Sequence, residues 1–306
     1  MAQAKVVRCG VAGWNFPGWE ATVYPRPKPR GFQPLAYLSR FFDVIEINTS
    51  FYQPIRPEVA RLWLWQVEHN PAFRFTAKLQ RTFTHERCLD PDPVERFARG
   101  LRPLWDAGKL GCLLMQFPWS FRFTEENRDF LIRLRRQFAE FPLVAEMRHS
   151  SWLREEALGL LIDYHLGFCN LDQPQRQSCL PVTACLTSPV GYVRLHGRGD
   201  GGWLQEFDEV PVESGAARYL YTLEDLAGWA ARIGQMQRFA DAVYVVATNN
   251  ERGRSVVNAL QLGSLLGLGK DRVPRTLASV WRNELNGLAP HGPVQSCLFE
   301  KERAVA

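Results

Sequence analysis

The feature that most constrains this chain is a regular alternation. Short apolar runs of strand length are separated by longer stretches of helical period that open near Pro or Thr. Eight strands are read, at residues 6–11, 44–48, 73–78, 110–116, 143–148, 167–172, 192–196 and 243–249. Helices are read between them at 57–69, 93–105, 125–138, 153–164, 223–239 and 256–266. Thr124 and Thr222 have the chemistry of N-caps, and Thr222 stands three residues before an acid, Asp225. The connections 33–42 and 173–188 are only weakly helical, the second being broken by Pro174 and Pro181. Eight βα units predict an α/β fold, a single TIM-type (β/α)8 barrel over residues 1–270, with 271–306 as a short C-terminal extension packed on it. An open doubly wound sheet is the alternative, but the first βα turn lacks the glycine spacing of a dinucleotide or phosphate loop.

Composition removes several other classes. With 46% hydrophobic residues and 10 Trp the chain is no disordered segment. No apolar run approaches a bilayer span and the start has no apolar signal stretch, so a cytoplasmic protein without a membrane partner is expected. Seven Cys without a Cys-x-x-Cys pair argue against a disulfide framework or a zinc ribbon, and Cys112 and Cys169 are expected to pack as small hydrophobes. The net charge of +5 is compatible with a polyanion without demanding one. Only 6 of the 37 basic residues are Lys, so a Lys inside a strand stands out.

Strand parity then selects candidate residues. Side chains alternate across a strand, so Glu46 and Asn48 share one face while Ile45 and Ile47 take the other. In the same way Thr76 and Lys78 oppose Phe75 and Ala77, Glu146 and Arg148 oppose Ala145 and Met147, and Tyr192, Arg194 and His196 oppose Val193 and Leu195. Apolar faces would meet the helices and polar faces the barrel interior, where a charge must be paired or hydrogen-bonded. Most of these residues lie toward the C-terminal ends of their strands, the catalytic end of this fold. Gln116 and Asp172 close strands, and Asn249 follows one. The expected pocket gathers Glu46, Asn48, Lys78, Gln116, Glu146, Arg148, Asp172, Arg194, His196 and Asn249, the alternative being a structural ion-pair network that fills the barrel. His85 on the loop after the third strand is an additional acid or base, or a solvated His. The glycine-rich run 197–203 reads as a lid, an anion nest or a simple insertion. Aromatics after strand ends, including Trp14, Phe51, Tyr52, Trp119 and Trp152, would form a stacking rim or pack beneath loops.

Several stretches together resemble the YecE-like family, domain of unknown function 72. They are Gly13-Trp14 with Trp19 and Tyr24-Pro25, the run 44–52 ending in Phe51-Tyr52, residues 75–78 ending in Lys78, His85, the run 116–121, the run 146–152, the run 192–197, Asn249-Asn250 and residues 257–259. They follow in order along nearly the whole chain. The resemblance implies a TIM-type barrel and leaves the chemistry open. Its barrel architecture is similar to that of endonuclease IV and xylose isomerase, which implies nuclease or sugar chemistry as candidates. Residues 246–248 and the long glycine-rich insertion depart from the family pattern.

Three functions fit these residues. The first is a hydrolase of phosphate esters, possibly in nucleic acid, in which Lys78, Arg148 and Arg194 hold the anion, Glu46 or Glu146 is the general base and His196 the general acid. On this reading Glu46, Lys78, Glu146 and His196 are catalytic, while Asn48, Gln116, Arg148, Asp172, Arg194 and Asn249 bind substrate. No cofactor is expected, the alternative being a divalent metal at Glu46, Glu146, Asp172 and His196. The second is a sugar or sugar-phosphate isomerase or lyase working by proton transfer. The third is a non-catalytic protein that binds a phosphorylated small molecule or nucleic acid through its basic mouth.

Overall fold

In a computed structural model, residues 6–199, 215–269 and 272–290 are described. Eight parallel strands close into one barrel, in sequence order: β1 (Val6–Ala12), β2 (Val44–Ile47), β3 (Arg74–Lys78), β4 (Leu110–Gln116), β5 (Leu143–Glu146), β6 (Leu166–Asp172), β7 (Val190–Leu195) and β8 (Ala242–Ala247). The closure is the pairing of β1 with β8, in register from Val6 opposite Ala242 to Val11 opposite Ala247. Around the barrel run α1 (Pro34–Leu38), α2 (Thr49–Tyr52), α3 (Pro57–Gln66), α4 (Arg81–Thr84), α5 (Pro91–Asp106), α6 (Glu125–Gln137), α7 (Glu155–Asp163), α8 (Leu223–Gln237) and α9 (Arg254–Leu265). None of the described helices is long and apolar enough to cross a membrane.

Four strands end sooner than the apolar runs suggest. Pairing stops at Ile47, Glu146, Leu195 and Ala247, so Asn48, Arg148, His196 and Asn249 are not strand residues but begin the loops of the C-terminal mouth. The chain nevertheless stays extended near the barrel there, since the His196 amide donates to the Asp172 carbonyl at 2.9 Å. The apolar faces of the strands meet the helices: Ile45, Ile47, Phe75, Ala77, Val193 and Leu195 are all fully buried. Each large aliphatic or aromatic side chain so buried contributes roughly 1.5–3 kcal/mol. Gly100 in α5 permits one close approach, because a Cβ there would lie 2.1 Å from the Ile55 carbonyl oxygen.

The sixth unit has no helix among the described residues. Asn170 takes its place as an organiser of the 173–188 connection: its amide donates to the Cys185 carbonyl at 2.9 Å and its Oδ1 accepts from the Cys185 amide at 2.7 Å and the Thr183 hydroxyl at 2.8 Å. The described part of the C-terminal segment carries α10 (Arg275–Val280) and lies against α9 and the turn before it. Gln261 donates to the Glu284 carbonyl at 2.8 Å, and the Trp281 indole donates to the Arg252 carbonyl at 3.2 Å.

Both expected caps form. Thr124 accepts from the Asn127 amide at 3.3 Å, and Thr222 makes a reciprocal box with Asp225 at the start of α8. Removing an N-cap hydroxyl typically costs ~1 kcal/mol. Thr222→Ala is therefore expected to lower the urea midpoint by an amount equivalent to about 1 kcal/mol without changing the slope of the transition. An unchanged midpoint would show that packing alone holds α8.

Candidate functional site

Polar side chains from the interior faces of five strands meet across the barrel. The Tyr192 hydroxyl on β7 lies 2.8 Å from Thr76 Oγ1 on β3 and donates to Glu46 Oε2 on β2 at 2.8 Å. β7 neighbours neither β2 nor β3 in the sheet, so both bonds cross the lumen. One layer nearer the C-terminal mouth, Arg194 spans the same gap. Its Nη2 donates to Glu46 Oε1 at 2.8 Å, while its Nη1 donates to Gln116 Oε1 at 2.8 Å and to Glu146 Oε2. Arg194 is 2% exposed and both carboxylates 0%. An uncompensated charge at this depth would cost several kcal/mol, and the fork of the guanidinium is what lets one cation answer two anions.

The layer above is built on Glu146. Arg148 Nε and Nη2 each lie 3.4 Å from its Oε1, and His196 Nε2 lies 3.4 Å from the same oxygen. Thr248 Oγ1 is 2.8 Å from His196 Nδ1. The carboxylate beside Nε2 favours the tautomer protonated there, leaving Nδ1 to accept from Thr248. Burial opposes ionisation of Glu146, but Arg194, His196 and Arg148 together hold its carboxyl well below the usual range. Burial, aided by Arg194 and Arg148 against the pull of Glu146, drops His196 to about 3. At neutral pH the pair is a carboxylate beside a neutral imidazole.

Lys78, 2% exposed, stands on the interior face of β3 with Nζ 5.5 Å from the Phe51 ring centroid. Asn48 is half-buried on the first turn after β2, where Gly13, at φ +74°, passes so close that a Cβ would lie 3.2 Å from Asn48 Nδ2. The aromatics divide. Trp19 and Trp152 are buried and bond to the Asn250 and Phe121 carbonyls, packing beneath loops, whereas Trp119 stays half-buried beside His149 and Arg122. His85 is half-buried, its Nδ1 2.8 Å from Thr84 Oγ1.

Two of the expected residues lie elsewhere. Asp172 shares the outward face of β6 with Phe168 and Asn170. There it receives both arms of Arg198, at 2.8 and 2.7 Å, and the Trp229 indole at 2.7 Å. Asn249 likewise faces outward, donating to the Tyr219 carbonyl at 2.8 Å and to Asn258 Oδ1 on α9 at 2.9 Å. Both were selected by position at a strand end, and parity overrides position: counting from Tyr244, the interior residue of β8 is Thr248. The four residues of the metal alternative accordingly do not gather. Asp172 is turned away, and among the described residues no three of His, Cys, Asp or Glu are placed to share an ion. The Arg198–Asp172 pair, which sequence reasoning missed, fixes the root of the glycine-rich run, whose residues 200–203 lie outside the described set. Cys112 and Cys169 are buried, with thiols raised by desolvation and by nearby Glu46 and Glu146, respectively, as expected of inert packing groups.

The family described as protein of unknown function DUF72 matches residues 8–282. The chain belongs to the DUF72 family. A DUF72 protein of Thermotoga maritima MSB8 is 29% identical, with a TM-score of 0.70 over 86% of this chain and 99% of that one. A DUF72 protein of Enterococcus faecalis V583, 22% identical, superposes with a TM-score of 0.74 over 86% and 96% of the two chains and shares the fold. The UPF0759 protein YecE of Escherichia coli K12 is 29% identical over 118 residues, 38% of this chain and only 39% of its own length. The resemblance carried by the motifs thus extends to the DUF72 barrel as a whole.

The lowered His196 fixes a pH dependence. Its folded pKa of about 3 lies below the unfolded value of ~6.5, so its contribution is complete above pH ~6.5 and is lost as pH falls toward 3. Glu146, also depressed, contributes above pH ~4.3 and is lost below it. Stability measured by urea unfolding should therefore begin to fall near pH 6.5, by a few kcal/mol in all. His149, lowered by burial and by Arg122 and Arg154, acts in the same direction, so the comparison with His196→Gln isolates the buried ring. That variant should move the main onset down toward pH 4.5. An identical onset in both proteins would mean that His196 is not held neutral by the fold.

Proposed function

We propose that the protein binds a small phosphate-bearing ligand at the C-terminal mouth of the barrel, with Lys78 and Arg148 as the cations nearest the ligand. The observation that carries this reading is the charge balance of the cluster. Lys78, Arg148 and Arg194 bring three formal positive charges against the two of Glu46 and Glu146, and His196 is neutral. A desolvated surplus of positive charge attracts an oxyanion, and a guanidinium can grip it through two donors. Depth favours a small molecule over a nucleic-acid duplex. Arg148 is 5% exposed and Lys78 2%, beyond the reach of a phosphate that stays in a helical backbone.

Hydrolysis of the bound ester is the second reading, favoured by the approach of His196 Nε2 to Glu146 at the mouth. Both groups are shifted toward weaker proton acceptance, away from the pKa near 7 that suits a general base. Binding therefore stands ahead of turnover, and Glu46 and Glu146 act first as partners of Arg194.

Calorimetry with inorganic phosphate tests the binding reading. Saturable 1:1 binding is expected, weakened at least tenfold, or ~1.4 kcal/mol, by Lys78→Met or Arg148→Met while cooperative unfolding is kept. No binding by the unmodified protein would contradict it. Turnover of p-nitrophenyl phosphate that is lost in Glu146→Gln, with phosphate binding retained, would place hydrolysis first.

A further inference from the structure

Three polar atoms at the ends of neighbouring strands are buried without a hydrogen-bond partner. They are Asn48 Oδ1 after β2, Gln80 Oε1 after β3 and Trp119 Nε1 after β4. Buried polar groups in proteins are almost always paired, so each unmatched one marks a place where something else completes the structure. Asn127 Oδ1, Arg194 Nε and Asn249 Oδ1 are likewise unmatched elsewhere in the fold, but these three share three consecutive loops of one mouth, the one that carries Lys78 and Arg148.

The chemistry of the three atoms selects the group that answers them. Asn48 and Gln80 each leave one end of an amide unmatched, and the amide can present oxygen or NH2 by a half-turn of a soft terminal torsion. Trp119 Nε1 only donates. A hydroxyl both donates and accepts, so it is the one common group that satisfies every one of these positions in either amide orientation. All three residues are half-buried, so each side chain is partly accessible while the atom named is not. A bare phosphate, with one or two hydroxyls among mostly accepting oxygens, is the poorer match for two amide oxygens at once. The aromatic surroundings add an apolar wall of the kind that sugar rings pack against: Trp119 abuts His149, with ring centroids 5.2 Å apart, and Phe51 lies under Lys78.

We infer that the ligand is a polyhydroxylated phosphate ester, its phosphate on Lys78 and Arg148 and its hydroxyls on Asn48, Gln80 and Trp119. This rests on the anion-binding reading above and adds the ligand class to it. Free sugar phosphates and the ribose phosphate of a nucleotide share this chemistry.

Calorimetry on the full chain with inorganic phosphate, ribose 5-phosphate, adenosine 5′-monophosphate and unphosphorylated ribose separates the possibilities. At least one of the two esters is expected to bind tenfold or more tightly than inorganic phosphate, with ribose alone far weaker than either ester. The tighter of the two esters assigns the source, sugar phosphate or nucleotide, and either outcome supports the inference. The double variant Asn48→Leu/Gln80→Leu should bring ester affinity to within about twofold of that for inorganic phosphate, leaving the latter unchanged. Should that variant fail to unfold cooperatively, Trp119→Phe, which deletes only the N–H and part of the ring, is expected to weaken the preferred ester several-fold and phosphate not at all. Phosphate binding with no gain from either ester would overturn the hydroxyl subsite and leave the anion site standing. Absence of binding by phosphate and esters alike would overturn both.

Discussion

The rest of the mouth depends on one interaction, the bridging of Glu46 and Glu146 by Arg194. The strands that carry them, β2, β5 and β7, are brought together only by closure of the barrel, so the triad exists only when the sheet is complete. It also dictates what lies around it. Glu46 can accept from Tyr192 because its other oxygen is held by Arg194, and Gln116 is oriented by the same guanidinium. A charge layer of this kind is weak evidence for stability, since an apolar core of equal volume is often as stable. Its value lies in geometry: it fixes side chains from several strands in one arrangement.

That arrangement has electrostatic consequences for function. Arg194 engages both carboxylates and Arg148 shares Glu146 with it, so three cations and two carboxylates meet in this cluster once Lys78 is counted. Burial first, and then the cations that keep Glu146 ionised, hold His196 neutral, so both groups are less ready to accept a proton. The proposed binding of an anion therefore asks less of these groups than proton transfer would.

Much of this was legible in the sequence. The barrel followed from the β and α alternation, the inward set of Glu46, Lys78, Glu146, Arg148, Arg194 and His196 followed from period-two parity within each run, and Gln116 was chosen by its place at a strand end. Position at a strand end, used without parity, found Gln116 but misplaced two others. Asp172 and Asn249 were selected because they end a strand, although both stand on the outward side of their runs, with Phe168 and Val245. Other features depend on distant partners and left no local signal. Nothing near Tyr192 in sequence announces Glu46 and Thr76, and nothing near Asp172 announces Arg198 and Trp229. The early ends of β2, β5, β7 and β8 were hidden for the same kind of reason, since where pairing stops depends on the neighbouring strand and not on the run itself.

The central claim is that Arg194 compensates two buried carboxylates at once. Urea unfolding of Arg194→Met beside the triple variant Arg194→Met/Glu46→Gln/Glu146→Gln tests it most directly. Removing one side of a buried ion pair typically costs 3–5 kcal/mol, whereas removing all the charges together can be nearly neutral. The account predicts a loss of at least ~3 kcal/mol in the single variant at pH 7.5 and recovery of most of it in the triple variant. A single variant as stable as the parent protein, or a triple variant no more stable than the single one, would contradict it.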